Sequence, residues 1–304
     1  MRVGTAQSYG AGVEQLTQRQ SELSEAAIRL NSGKRVAKAS DDPAAAARAE
    51  RALSSIVHIT TDLRAVEASR TVTAITESAL GDAGELLQKV RETLVGAGNA
   101  SYTNSERKIQ AQDLSALRDQ LLAVANRRDS ADGYLFAGPG LTTAPFQADA
   151  SGVVSFVGPA GDTRTEASTD LPLSTNGQSV WMQPAGSTSD IFSALSKAIA
   201  DLGTPGLSSA EISARNTVNI ANVDAGMSSL QSARSTAGEV LSRIDSQSGL
   251  LDDRKLANQT ERSNAEDLDM MAAYSDFQAK QTGYDAALKS YSMVQRMSLF
   301  QYLT

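Results

Sequence analysis

Apolar residues recur near the start of the chain at alternating steps of three and four: Val13, Leu16, Leu23, Ala27 and Leu30, with polar Gln20 completing the series. That is the seam of a coiled coil. Glu14, Arg19, Glu22 and Glu25 fall outside it. A stripe this narrow does not stabilise a lone helix, so it predicts a partner. From about Ala265 the pattern returns in Phe277, Gln281, Tyr284, Leu288 and Tyr291, then drifts toward Val294, Met297, Phe300 and Leu303. Each end has one polar member in its stripe, and the two ends are predicted to pack on one another.

Between the ends lie longer helices. Leu30-Asn31-Ser32-Gly33-Lys34-Arg35 reads as a helix stop, with Gly33 free to turn left-handed and the cations near the negative end of the dipole. Asp41 or Asp42 then caps a new helix at Pro43, whose missing N–H needs no partner in the first turn. That helix is predicted to run to about Ala97 and to stop at Gly98-Asn99, with Leu80, Ala83, Leu87, Val90, Leu94 and Ala97 in its seam. Thr103-x-x-Glu106 and Ser208-x-x-Glu211 read as capping boxes. The first opens a helix ending near Asp129. The second opens the clearest heptad: Ile220, Val223, Met227, Leu230, Arg234, Ala237, Leu241, Ile244, Ser248 and Leu251. Its length predicts an antiparallel partner for the 43–97 helix.

The texture changes after Asp132-Gly133, where all prolines but Pro43 fall between Pro139 and Pro205. Short β-like runs are expected at 134–137, 153–157, 164–167 and 180–182, with a hairpin turn at Pro159-Ala160-Gly161-Asp162. The fold class predicted is mainly α. Both chain ends build an elongated antiparallel helical rod or coiled-coil bundle, and a small β-rich domain is inserted in the middle. Its parts are an N-terminal assembly helix (1–42), rod segments (43–139 and 187–264), a β-rich outer domain (140–186) and a C-terminal assembly helix (265–304).

Composition narrows the function. The net charge is −7 and no run of lysine or arginine offsets it, which argues against nucleic acid as a partner. No apolar stretch approaches the ~18–20 residues that span a bilayer, and the start has no apolar run of a cleavable secretory signal. Membrane insertion is not expected, and export would use another route. With no cysteine, disulfides and thiolate metal sites are excluded. The single histidine, His58, has no nearby acid to complete a relay. Asp41-Asp42 and Asp252-Asp253 read as a cap and a solvated face rather than cation ligands. Gly10-Ala11-Gly12 and Gly138-Pro139-Gly140 lack the context of a dinucleotide site. No catalytic, metal or cofactor site is predicted.

One seam between two ends buries little, while ordering each residue costs ~1–2 kcal/mol of backbone entropy. Both ends are therefore expected to be mobile in the monomer and to order when copies pack together.

Several segments in order resemble the bacterial flagellin superfamily across essentially the whole chain. They are Met1-Arg2-Val3, Ser32-Gly33-Lys34-Arg35-Val36, Ser40-Asp41-Asp42-Pro43-Ala44, Leu117-Arg118-Asp119-Gln120-Leu121, Asp132-Gly133-Tyr134-Leu135-Phe136-Ala137-Gly138, Thr143-Ala144-Pro145-Phe146 and the ending Leu288 to Leu303. Gly4 departs from the serine expected there. The Gly133-to-Gly138 strand and the Tyr302-Leu303 ending favour the superfamily's junction branch over its filament subunits. The resemblance implies a non-enzymatic adaptor exported unfolded by the flagellar type III apparatus. It would form a ring at the far end of the hook, between the first hook-associated protein and flagellin. An export chaperone on the C-terminal helical region is also implied. The assembly residues by that analogy are Leu16, Leu23, Leu30, Tyr284, Leu288, Tyr291, Val294, Met297 and Leu303, with Gly33, Asp41, Asp42 and Pro43 as the joint. A filament subunit, or a secreted helical adhesin or effector, are the alternatives.

Overall fold

Six helices account for most of the computed structural model, which describes residues 2–99, 102–129, 131–139, 143–149, 152–159, 161, 164, 171–172, 174–182, 184 and 189–300. They are α1 (Arg2–Ser32), α2 (Pro43–Ala97), α3 (Asn104–Ala125), α4 (Ile191–Gly203), α5 (Ser209–Glu266) and α6 (Met270–Phe300). Strands β1 (Phe146–Ala148) and β2 (Val154–Phe156) and a π-helical turn at Gln178–Met182 lie between α3 and α4. The chain is mainly α with a small β insertion, as the pattern predicts. It divides into two compact units, Met1–Ile59 with Asp253–Thr304, and Thr60–Asp252.

The central unit, Thr60–Asp252, holds the larger core. On α5, Val223, Leu230, Ala237, Ile244 and Leu251 are buried at seven-residue steps. They are one set of knobs of an antiparallel coiled coil. Leu80, Ala83, Leu87, Val90, Leu94 and Ala97 of α2 are buried as well. The antiparallel sense is visible in the ion pairs Arg70–Asp245, Glu77–Arg234 and Arg91–Asp224. Asn216 of α5 donates to the Leu94 carbonyl at the end of α2. Arg234, a seam position in the heptad, instead reaches out to Glu77 at 2.6 Å and is exposed.

Both capping boxes form. The Thr103 side chain accepts from the Glu106 N–H while the Glu106 carboxylate accepts from the Thr103 N–H at 2.7 Å. Ser208 and Glu211 do the same, with the Ser208 N–H at 2.9 Å from the carboxylate. Both carboxyls lie below the ordinary glutamate range, Glu106 chiefly through the Thr103 N–H and Glu211 chiefly through the Ser208 hydroxyl. Helix α3 ends at Ala125, four residues before the expected stop at Asp129.

The insertion departs most from expectation. Strand β2 matches the 153–157 run, but it pairs antiparallel with β1, a strand the pattern missed, through Phe146↔Phe156. The turn is closed by Asp149, whose N–H donates to the Val153 carbonyl, with Gly152 at φ +80. The expected turn at Pro159–Asp162 therefore does not join β2 to its partner, and Ala160 and Asp162 lie outside the described residues. Tyr134 and Ala137 make only isolated bridges, to Arg128 and Asn176. Arg164 bridges Pro172, and 165–167 lie outside the described residues. The 180–182 run is no strand. Trp181 is fully buried against Phe136, 5.4 Å away edge-on, and stacked on Phe192 at 6.0 Å. Winding into a π-helical turn lets Val180 and Trp181 both enter that cluster.

The terminal unit, Met1–Ile59 with Asp253–Thr304, has a thin core. Among the described residues its buried apolar positions are Ala26, Val36, Ala45, Ala49, Ala52, Ile59 and Ala265, five of them alanine. Alanine buries little area, so each contributes little to stability. Helices α1 and α6 pack on one another within it.

Candidate functional site

The joint forms from two helix breaks that meet. Helix α1 ends where Gly33 turns left-handed at φ +66 and its N–H donates to the Arg29 carbonyl. Helix α5 ends at Glu266, two residues past the boundary expected at 264/265. Lys34 and Asp267 form an antiparallel bridge. The N–H groups of Arg35 and Val36 donate to the Glu266 carbonyl at 2.7 and 3.3 Å, and the Leu268 N–H donates to the Gly33 carbonyl at 3.0 Å. Side chains follow the backbone. The Glu266 carboxylate, with only 14% of its side chain exposed, lies 3.1 Å from Lys34 Nζ and 2.7 Å from Arg262. The Arg35 guanidinium donates to the Ala265 carbonyl at 2.8 Å. Helix-end carbonyls and N–H groups that would otherwise face water are thus satisfied by the opposite break.

The two aspartates divide their work. Asp42 is the cap of α2: its Oδ1 accepts from the Ala45 N–H at 2.9 Å. Asp41 instead closes the preceding turn, accepting from the N–H groups of Ala37 and Lys38. Both carboxyls are held below the ordinary aspartate range. The cause is chiefly the Lys38 N–H for Asp41 and the Ala45 N–H for Asp42. Pro43 opens α2. Asp269 serves α6 in the same way, accepting from the Met271 and Ala272 N–H groups.

The seam between α1 and α6 is close to the expected one, with a shift. Leu16, Leu23 and Leu30 are half-buried, but Val13 and Gln20 are exposed, and Gly12, Arg19 and Ala26 are the more covered neighbours. The α1 seam is therefore Tyr9, Gly12, Leu16, Arg19, Leu23, Ala26 and Leu30. On α6, Phe277, Tyr284 and Tyr291 are half-buried, whereas Gln281 and Leu288 lie off the seam, Leu288 at 41% exposure. Only the backbone of α6 is described at Val294 and Met297, and Leu303 lies outside the described residues. Two glycines make room for large partners. A Cβ on Gly12 would stand 3.2 Å from the Tyr291 ring, and one on Gly283 would stand 2.8 Å from Arg19. Tyr9 meets Tyr291 edge-on at 6.5 Å.

What the terminal unit lacks in core it carries on its surface. Of fifteen large apolar residues exposed among the described ones, nine belong to it: Val13, Ile28, Val57, Leu256, Met270, Met271, Tyr274, Leu288 and Met293. Five of the nine, Met270, Met271, Tyr274, Leu288 and Met293, lie on α6.

Little else among the described residues offers chemistry. No group of three or more His, Cys, Asp or Glu residues able to hold a metal occurs among the described residues, and no helix there is long and apolar enough to cross a membrane. His58 is exposed on α2. A cleft of about 540 Å³ in the central unit is lined by hydroxyls. Those of Thr73, Thr76, Ser229 and Thr236 already donate to backbone carbonyls.

Residues 3–140 match the bacterial flagellin N-terminal helical region, and residues 220–303 match the bacterial flagellin C-terminal helical region. Flagellar hook-associated protein 3 of Escherichia coli is 28% identical over 317 aligned positions, covering 99% of both chains. Phase 1 flagellin of Salmonella naestved is 34% identical, but over 37% of this chain and 22% of its own length. The fold is similar to that of the flagellar junction protein from Legionella pneumophila, with a TM-score of 0.61 at 18% identity, over 72% of this chain and all of that one.

Proposed function

The chain belongs to the flagellin family, with that family's two helical regions in order at its two ends, and from this premise we propose that it is a hook-associated junction protein of the bacterial flagellum. It is a structural component of the motility organelle, outside the cell, joining hook and filament. One observation carries the choice between junction and filament subunit. The match to hook-associated protein 3 runs end to end, whereas the match to flagellin stops at 22% of the flagellin chain.

In this reading the paired terminal helices are the assembly element. Copies associate in a ring at the far end of the hook, with the first hook-associated protein on one side and flagellin on the other. Leu16, Leu23, Leu30, Tyr284, Leu288 and Tyr291, continued by Val294, Met297 and Leu303, supply the apolar surface between copies. Gly33, Asp41, Asp42 and Pro43 set the joint from which the pair projects. The protein leaves the cell unfolded by the flagellar export route, with its C-terminal helical region held by a chaperone beforehand. No catalytic step and no cofactor enter the reading. What supports it is the surface of the terminal unit: a core of alanines inside and large apolar side chains outside.

A strain lacking the protein tests it. Hooks without filaments, with flagellin lost to the medium, are expected, and normal filaments on that strain would refute the junction role.

A further inference from the structure

Asn176-Gly177 is the one asparagine–glycine pair in the chain, and Asp132-Gly133 is the one aspartate–glycine pair. Pairs of this kind are labile: the backbone nitrogen of the second residue attacks the side-chain Cγ of the first, and glycine has no side chain to hinder it. In both pairs the fold occupies that nitrogen. The Gly177 N–H donates to the Phe136 carbonyl at 3.0 Å, and the Gly133 N–H donates to Asp129 Oδ1 at 2.8 Å.

The asparagine pair is the more reactive, since an amide carbon is a better electrophile than an ionised carboxylate. It is also pinned from every side. The Thr175 N–H donates to the Leu135 carbonyl at 3.0 Å, and Asn176 forms an antiparallel bridge with Ala137. Asn176 Oδ1 accepts from the Gln178 N–H at 2.8 Å, and the Ser179 hydroxyl donates to the Asn176 carbonyl. Gly177 is buried, and a Cβ on it would stand 2.6 Å from the Phe146 ring and 2.7 Å from the Phe136 carbonyl oxygen. Only glycine fits that seat, so the labile pair is built into the fold. Attack requires the Gly177 nitrogen to lose its proton and swing to Cγ, which breaks the bond to Phe136 and lifts the glycine out of its seat.

We propose that Asn176 is a self-modification site that the folded insertion suppresses. In the unfolded chain the Gly177 nitrogen bonds to Asn176 Cγ, the bond from Cγ to Nδ2 breaks, and ammonia leaves with the proton that the nitrogen gave up. Water then opens the cyclic imide at either carbonyl, giving aspartate or isoaspartate. Aspartate keeps an oxygen where the Gln178 N–H donates. Isoaspartate adds a carbon to the main chain, so Thr175 and Gly177 no longer reach Leu135 and Phe136 together. Trp181 reports the difference, being the only tryptophan and packed on Phe136 and Phe146.

The test incubates the full-length chain at mildly alkaline pH in buffer and in guanidinium chloride, and quantifies conversion of each asparagine by peptide mass spectrometry. Asn31 and Asn104, each followed by serine, are the internal references. In denaturant Asn176 should convert faster than either reference. In buffer it should convert at least about tenfold more slowly than in denaturant, because reaction waits on local opening. The Gly177 amide should be slow to exchange hydrogen in the folded chain for the same reason. Asn176→Asp should regain the near-UV circular dichroism of Trp181 on refolding, and aged chain should regain it only in the fraction free of isoaspartate. Equal conversion in buffer and denaturant would overturn the suppression, and faster conversion of a reference in denaturant would overturn the site. Aged chain that refolds completely despite its isoaspartate would overturn the assigned consequence, as would Asn176→Asp without the native signal.

Discussion

Lys34 and Glu266 stand 232 residues apart in the chain and 3.1 Å apart in space. Around them the break between α1 and α2 is hydrogen-bonded to the break between α5 and α6, so both helices of the terminal pair leave the joint from one fixed clasp. Glu266→Ala removes the carboxylate shared by Lys34 and Arg262 and leaves the backbone bonds in place. Because both cations are more than a third exposed, the expected loss is about 1 kcal/mol. Hydrogen exchange checks it: the Arg35, Val36 and Leu268 amides should exchange several-fold faster, while amides in the centre of α5 stay unchanged.

The glycines of α1 are not equivalent. A Cβ on Gly10 meets nothing within 4 Å, whereas one on Gly12 presses on the Tyr291 ring at 3.2 Å. Gly10→Ala should therefore stabilise α1 by about 0.5–1 kcal/mol through helix propensity alone. Gly12→Ala has the same propensity gain but must displace the ring, so its net effect should be smaller or reversed. Thermal melts followed at 222 nm separate the two.

Acid should loosen the joint. Asp41 and Asp42 are held below the ordinary aspartate range by backbone N–H groups, so their folded values lie under their unfolded ones. Such groups contribute stability that is fully present above the unfolded value and lost as pH falls through the depressed folded value. Asparagine caps helices about as well as aspartate but does not titrate. Asp42→Asn is expected to keep stability at neutral pH and to flatten its decline below about pH 4. A pH series of urea melts measures this.

In the central unit the aromatic cluster dominates. Trp181→Ala empties a fully buried site bounded by Phe136, Phe146 and Phe192, and should cost about 3–5 kcal/mol. Urea unfolding followed by far-UV circular dichroism is the check.

These sites also mark where the chain could be read directly. Pro43, Thr103 and Ser208 open helices where their local chemistry says they should, because caps are satisfied within a few residues. The heptad at Val223, Leu230, Ala237, Ile244 and Leu251 was legible for the same reason: periodicity is local. Trp181 was misread because four packed aromatic rings decide its backbone. The boundary expected at 265 falls within three residues of the break at Asp267, but its exact place was not legible, because Glu266 and Leu268 suit a helix and what holds the break open is hydrogen bonding to Gly33, Arg35 and Val36. Asp269 was the available signal, since an aspartate two residues before Met271 is a helix cap. In the candidate site, Leu16, Leu23, Leu30, Tyr284 and Tyr291 follow from spacing alone. Arg19 does not, since patterning places a charge outside a seam and only the glycine opposite admits it.

The central claim is a position in the organelle. Electron microscopy of intact flagella with antibody against this chain tests it most directly. The account predicts a single narrow band of label where hook meets filament. Label spread along the filament would make the protein a filament subunit, and flagella without label would contradict the account altogether.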